Sequence, residues 1–207
     1  MFVLGIDPGL SRCGFGAVRT DARRRPLAVE HGVLRTPHTD PIHQRLASLH
    51  GQLEELLGRL RPDVVVVERV FFQNNARSAM GVAQASGLAM ALACRQGCTV
   101  EQYTSNEVKQ AVAGYGSAEK HQTQTMVAHL LGLEQLPKPA DAADALALAL
   151  CHLALAPLSA KVAGAASLGR AITDTPVGAY GGRPLKVASS VGGVPLAKVR
   201  AGLQAKR

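Results

Sequence analysis

Four carboxylates fall on three separated stretches of this 207-residue chain. Asp7 closes the apolar run FVLGI, and Glu68 closes VVVV. A carboxylate at the end of a buried strand sits where a sheet presents its loops, outside the carboxyl edge. Asp141 and Asp144 follow in PADAADALALAL, three positions apart, so they share one face of a helix. With the first and fourth strands as neighbours, Asp7 and Glu68 lie side by side. Four acids with nothing basic beside them repel one another. The natural remedy is a hard divalent cation with oxygen ligands, Mg²⁺ or Mn²⁺. Two such ions ~3.5–4 Å apart can activate a water and stabilise the leaving oxygen of a phosphodiester. Each piece also has an ordinary reading: Asp141 as a helix N-cap, Asp7 in IDPG as an Asx turn. Glu68 has the weakest one, because a solvent-facing edge does not usually follow four valines. Taken together, the three stretches favour a metal site.

The elements that must position these acids are legible from pattern. FVLGI reads as a short buried strand, FGAVRT as a second, antiparallel strand after turn residues, and LAVEHGVLRT as a third. Leucines at 46, 49, 53, 56, 57 and 60 have helical spacing over Ile42 to Leu60, and Pro62 and Asp63 break it. Val64 to Val67 is a strand buried on both faces. Asn74 to Arg95 is a long Ala-, Gly- and Met-rich helix. Thr99 to Tyr103 is a strand, and Ser105 to Ala113, Lys120 to Leu131 and Asp141 to Leu155 are helices. Three strands followed by alternation of helix and strand predict a mixed α/β sheet, antiparallel on one side and parallel on the other, with helices on both faces.

Composition bounds the class. Apolar residues make up 47% of the chain, with no Trp, four Phe and three Tyr, so the core must come from Val, Leu, Ile and Ala. No apolar stretch approaches the ~18 residues of a membrane span, and MFVLGIDPG lacks the charged start of a signal peptide. A cytoplasmic protein without a membrane partner is expected. Cys13, Cys94, Cys98 and Cys151 show no paired CxxC hooks, which leaves reduced thiols rather than structural zinc. The net charge of +8 is uneven. Residues 1–156 carry 15 Lys+Arg against 14 Asp+Glu, whereas residues 157–207 carry eight against one, Asp174. From Leu158 the chain is Gly-, Pro-, Ala- and base-rich with weak periodicity. Residues 1–157 are therefore expected as the folded domain and 158–207 as a disordered basic tail.

GIDPG, VVVVERVFFQNN, VKQAVAGYGSAEK and PKPADAADALALAL together resemble, in order and spacing, the RuvC family of Holliday junction resolvases, over about residues 1–156. The resemblance implies a ribonuclease-H-like fold with a mixed five-stranded sheet flanked by helices, a homodimer, and paired symmetric nicks in four-way junction DNA. It also implies two Mg²⁺ ions per active site, with Mn²⁺ able to substitute. It carries the catalytic and metal-binding roles onto Asp7, Glu68, Asp141 and Asp144. Phe71 matches the family aromatic that stacks on an unpaired base, and Lys109 and Lys120 match its basic positions. The family's frequent GQARG reads AQASG at 83–87, so a basic contact is missing and Arg69 or Arg77 is expected to take its place. Branch-migration partners, RuvA and RuvB, follow by analogy.

Three rivals are weighed against this reading. A sugar-kinase or actin-type ATPase also starts from a GID strand but needs a second phosphate loop, and none is visible. A related nuclease acting on RNA precursors is usually shorter and lacks the long middle helix. A non-catalytic DNA-binding protein has no need of four intact acids.

Overall fold

A computed structural model of the chain describes residues 1–69 and 76–170, together with 190–191 and 194–195. Five strands, β1 (Phe2–Asp7), β2 (Arg12–Thr20), β3 (Pro26–Arg35), β4 (Val64–Glu68) and β5 (Thr99–Tyr103), form one sheet in the order β3-β2-β1-β4-β5. β1, β2 and β3 pair antiparallel, while β1, β4 and β5 pair parallel. Five helices accompany them: α1 (Ile42–Leu60), α2 (Ala76–Arg95), α3 (Ser105–Ala113), α4 (Lys120–Leu131) and α5 (Ala140–Arg170). This is the expected element order and the expected mixed sheet.

Strand alternation divides the core into two layers. Phe2, Leu4, Ile6, Val65 and Val67 point to one face and pack against Leu49, Leu53, Leu57, Ala85, Ala89 and Leu92 of α1 and α2. Val3, Val64 and Val66 point to the other face and meet Val108, Val112, Val127, Leu146 and Leu150 of α3, α4 and α5. Asp7 and Glu68 have the parity of this second set, so both carboxylates face the layer that contains α5.

α5 comes unusually close to the sheet. A Cβ placed on Gly5 would lie 1.9 Å from the Ala145 carbonyl oxygen, and one on Gly14 would lie 2.2 Å from that of Asp141. Glycines on β1 and β2 thus open a channel in which the helix sits, and Ala142 to His152 are buried except for the half-exposed Asp144. A helix apolar on every side is a buried helix. His152, polar within this run, is accommodated by a 3.0 Å hydrogen bond between its Nδ1 and the Tyr103 hydroxyl on β5.

α5 also runs further than expected. The periodicity suggested an end near Leu155, but the helix continues to Arg170 through an Ala-rich stretch of high helix propensity. Residues 158–170, expected as part of the tail, are therefore helical. The remainder of that expected tail lies outside the described residues, apart from one short antiparallel pair, β6 (Ser190–Val191) with β7 (Val194–Pro195). By its internal contacts the chain divides into Met1–Ala165 and Ala166–Arg207. All four cysteines are free, with Cys13 and Cys151 buried. Among the described residues, no helix is long and apolar enough to cross a membrane.

Candidate active site

The parallel register pairs Ile6 with Val67, so the next residues, Asp7 and Glu68, end adjacent strands at one edge of the sheet. The first turn of α5 lies over the same edge, where Gly14, the cross-strand partner of Asp7, leaves room for Asp141. Asp7, Glu68 and Asp144 then line one cleft of about 390 Å³, together with Lys109, Lys120, Ser105 and Thr123. Asp141 stands beside it, in the first turn of α5 rather than at an N-cap.

The four acids differ in charge state. Burial raises the Asp7 carboxyl from 3.8 to about 7, and the neighbouring Glu68, Asp144 and Asp141 push it further in the same direction. Burial and then Asp144 also raise Glu68, against an opposing pull from Lys120 and Lys109. Asp141 is lowered, chiefly because the Arg12 guanidinium hydrogen-bonds its Oδ2 through both Nε, at 3.0 Å, and Nη2. Lys120 Nζ donates to Asp144 Oδ2 at 2.6 Å and is itself raised by that contact.

The expectation that nothing basic stands beside the acids is thus corrected. Arg12 at the start of β2 and Lys120 at the start of α4 each hold one of the helix-borne carboxylates. With those pairs formed, no three His, Cys, Asp or Glu side chains among the described residues are grouped so as to hold an ion. The donor set still fits a hard divalent cation. Every donor is a carboxylate oxygen, and Asp7, raised by burial and by three neighbouring carboxylates, would be relieved by a cation beside it.

The expected DNA-contact residues divide three ways. Lys109 and Lys120 are brought to the cleft. Arg69 is not among its lining residues; its backbone N–H donates to the Tyr103 carbonyl at 2.8 Å and its side chain leans toward the Gln102 carbonyl. Phe71 and the Arg77 side chain lie outside the described residues. Arg12 was missed by sequence reasoning. Its only signal was its place five residues after Asp7, in a loop otherwise composed of turn residues.

Residues 3–152 match the family model for crossover junction endodeoxyribonuclease RuvC. The RuvC of Leifsonia xyli is 53% identical over 150 residues, which is 72% of each chain. That of a Parafrankia strain is 51% identical over 162 residues, 78% of this chain and 91% of that one. Among solved structures, Thermus thermophilus RuvC in complex with a Holliday junction substrate superposes with a TM-score of 0.72 at 36% identity, covering 77% of this chain and 96% of that one. The yeast mitochondrial resolvase Ydc2 shares the fold, with a TM-score of 0.57 at 15% identity. With a family match that takes in parts of all five strands of the main sheet and all four acids, the chain belongs to the RuvC family of crossover junction endodeoxyribonucleases.

Proposed function

We propose that this chain resolves four-way DNA junctions by paired, symmetric hydrolysis of phosphodiester bonds, leaving 5′-phosphate and 3′-hydroxyl ends. The observation that carries the reading is the convergence of Asp7, Glu68 and Asp144 in one cleft with Lys109 and Lys120, while Asp141 stands at its side. Asp7, whose carboxyl feels all three other acids, would help hold two Mg²⁺ ions. Glu68 and Asp141 would each hold one, and Asp144 would complete the set; Mn²⁺ would substitute. When bound, the ions supply Lewis acidity and an activated water. The chain's own residues do the rest. Lys109 and Lys120 attract the phosphate and offset its charge, and a substrate phosphate that draws Lys120 onto itself releases Asp144. Phe71, beside Glu68 in sequence, would stack on an unpaired base at the junction centre. Arg69 and Arg77 would contact the backbone.

Symmetric cutting needs two sites related by a two-fold axis. α2 offers the surface. Ala85, Ala89 and Leu92 are buried on its sheet side, while Met80, Gly87, Ala91 and Cys94 form an exposed stripe of small and apolar residues on the other. A homodimer through this stripe places two clefts on one junction. Gly87→Glu, at a position with open space around it, should turn dimer into monomer by sedimentation and uncouple the two nicks. A variant that remains dimeric moves the interface elsewhere. RuvA and RuvB, as branch-migration partners, would deliver the junction.

The test is cleavage of four-way junction, linear duplex and structured RNA, with Mg²⁺ and with chelator. Paired nicks in the junction alone, only with Mg²⁺, are expected. Preferential cleavage of RNA would favour the precursor-processing relative, and binding without any cleavage the non-catalytic reading.

A further inference from the structure

A second cavity, of about 490 Å³, is lined by Ser11, Arg12, Arg35, Thr36, Pro37 and His38, and its Arg12 is the residue that pairs with Asp141. The lining contains two arginines and a histidine and no carboxylate. Arg12 and Arg35 are direct cross-strand partners in the β2–β3 register. Like charges placed so are destabilising unless an anion answers them. Asp141 answers Arg12. The Arg35 guanidinium has no hydrogen-bond or ion-pair partner among the described residues; only its backbone is held, by Gln52.

The wall behind these side chains is built rather than loose. Thr36 is buried, its hydroxyl donates to the Leu10 carbonyl at 2.5 Å, and its N–H donates to the Ser11 carbonyl at 3.3 Å. Arg45 of α1 ties the two loops together, with Nε donating to the Thr36 hydroxyl at 3.1 Å and Nη2 to the Ser11 hydroxyl at 2.5 Å. Both of these partners are neutral, and no carboxylate among the described residues pairs with this third guanidinium. Three arginines with one carboxylate among them, held by a fixed scaffold, make a site for an anion.

We propose that this cavity is a phosphate subsite that holds the DNA backbone beside the scissile phosphate, with Arg12 shared between it and the catalytic centre. Fork-shaped guanidinium groups suit phosphate oxygens. A phosphate bound here competes with Asp141 for Arg12, so filling the cavity frees an acid for the ion it would ligate. Substrate binding and metal binding then reinforce each other through one side chain.

The proposal rests on the nuclease reading above but is tested apart from it. Junction binding is titrated in chelator at several salt concentrations for the parent, Arg35→Ala, Arg35→Lys and Arg95→Ala. Arg95 ends α2, which runs away from the catalytic edge of the sheet. Arg35→Ala should weaken binding several-fold at low salt and reduce the slope of log K against log salt by ~1.8 per dimer, the loss of one phosphate contact at each of the two sites. Arg35→Lys should keep the slope, and Arg95→Ala should match the parent. An Arg35→Ala slope equal to the parent's overturns the subsite, even if the parent cuts junctions normally. A parent that cuts nothing, with the Arg35→Ala slope still reduced, overturns the nuclease reading alone. Mn²⁺ titrated onto DNA-free Arg12→Ala should bind several-fold tighter than onto the parent; equal affinity overturns the shared role of Arg12.

Discussion

Asp7 and Glu68, fixed at the ends of β1 and β4, are raised in pKa and have no hydrogen-bonded cation among the described residues; Asp141 and Asp144, one turn apart on α5, each hold one. The two halves of the cleft hold the same chemistry in opposite states. The strand half is rigid, because its backbone belongs to the sheet and its neighbours Ile6 and Val67 are fully buried. Its electrostatic cost is stored, since burial and repulsion keep Asp7 partly protonated near neutral pH. The helix half is already neutralised, by Arg12 and Lys120. A cation entering the cleft therefore relieves a cost on the strand side and must displace a partner on the helix side. Fixed acids set the position, and exchangeable ion pairs set the conditions under which the site fills.

The largest effect that would break this comparison lies at Asp7. Asp7→Asn should lower junction cleavage by at least ~10³-fold, beyond the loss of a single transition-state hydrogen-bond donor, while junction binding in chelator persists. Cleavage within tenfold of the parent, measured in single turnover, would remove Asp7 from the centre of the site.

The same substitution sharpens the comparison through stability. The folded pKa of Asp7, about 7, exceeds its ordinary 3.8, so the folded state binds the extra proton between those values. Stability from this group is full at low pH, falls as pH rises toward 7, and is level above. Asp7→Asn avoids that cost. Without metal it should be more stable than the parent at pH 8, by up to about 4 kcal/mol, with the difference closing toward pH 4. Denaturant unfolding at the two pH values checks it; an Asn variant less stable at pH 8 would mean the strand half stores no such cost.

A smaller effect is expected from the helix half. Lys120→Gln should slow turnover of bound junction by ~10²-fold, as a lost charge at the phosphate. It should also tighten Mn²⁺ binding without DNA, because Asp144 loses its competing partner. Weaker metal binding in the variant would make Lys120 a support for the acids rather than a rival to the ion.

Much of the scaffold was legible because its signals are local. VVVV ending in Glu68 and FVLGI ending in Asp7 named two strands and the edge they share. The i,i+3 spacing of Asp141 and Asp144 needed only helix geometry. Arg12 was not legible. Its pairing with Asp141 spans 129 positions and depends on the close seating of α5 against Gly14, which no window of sequence reports. The same holds for Lys120 and Asp144, which two separate helices bring together. The end of α5 was missed for a different reason. A Gly- and Pro-containing stretch after Leu155 read as a break, but its alanines carry the helix to Arg170. Tyr103 was legible only as a strand residue; its hydrogen bond to His152 explains why a histidine is tolerated in the apolar run of α5.

The most direct test of the opposition between the two halves is a calorimetric titration of Mn²⁺ onto the DNA-free parent and Asp7→Asn at pH 6, 7 and 8. Below about pH 7 the Asp7 carboxyl is protonated, so an entering cation must expel that proton. Parent affinity should rise about fivefold from pH 6 to 7 and about twofold from 7 to 8, with up to one proton released on binding at pH 6. Asp7→Asn should bind weakly and release none from this position. Parent affinity that is flat from pH 6 to 8, with no proton released, would contradict the account.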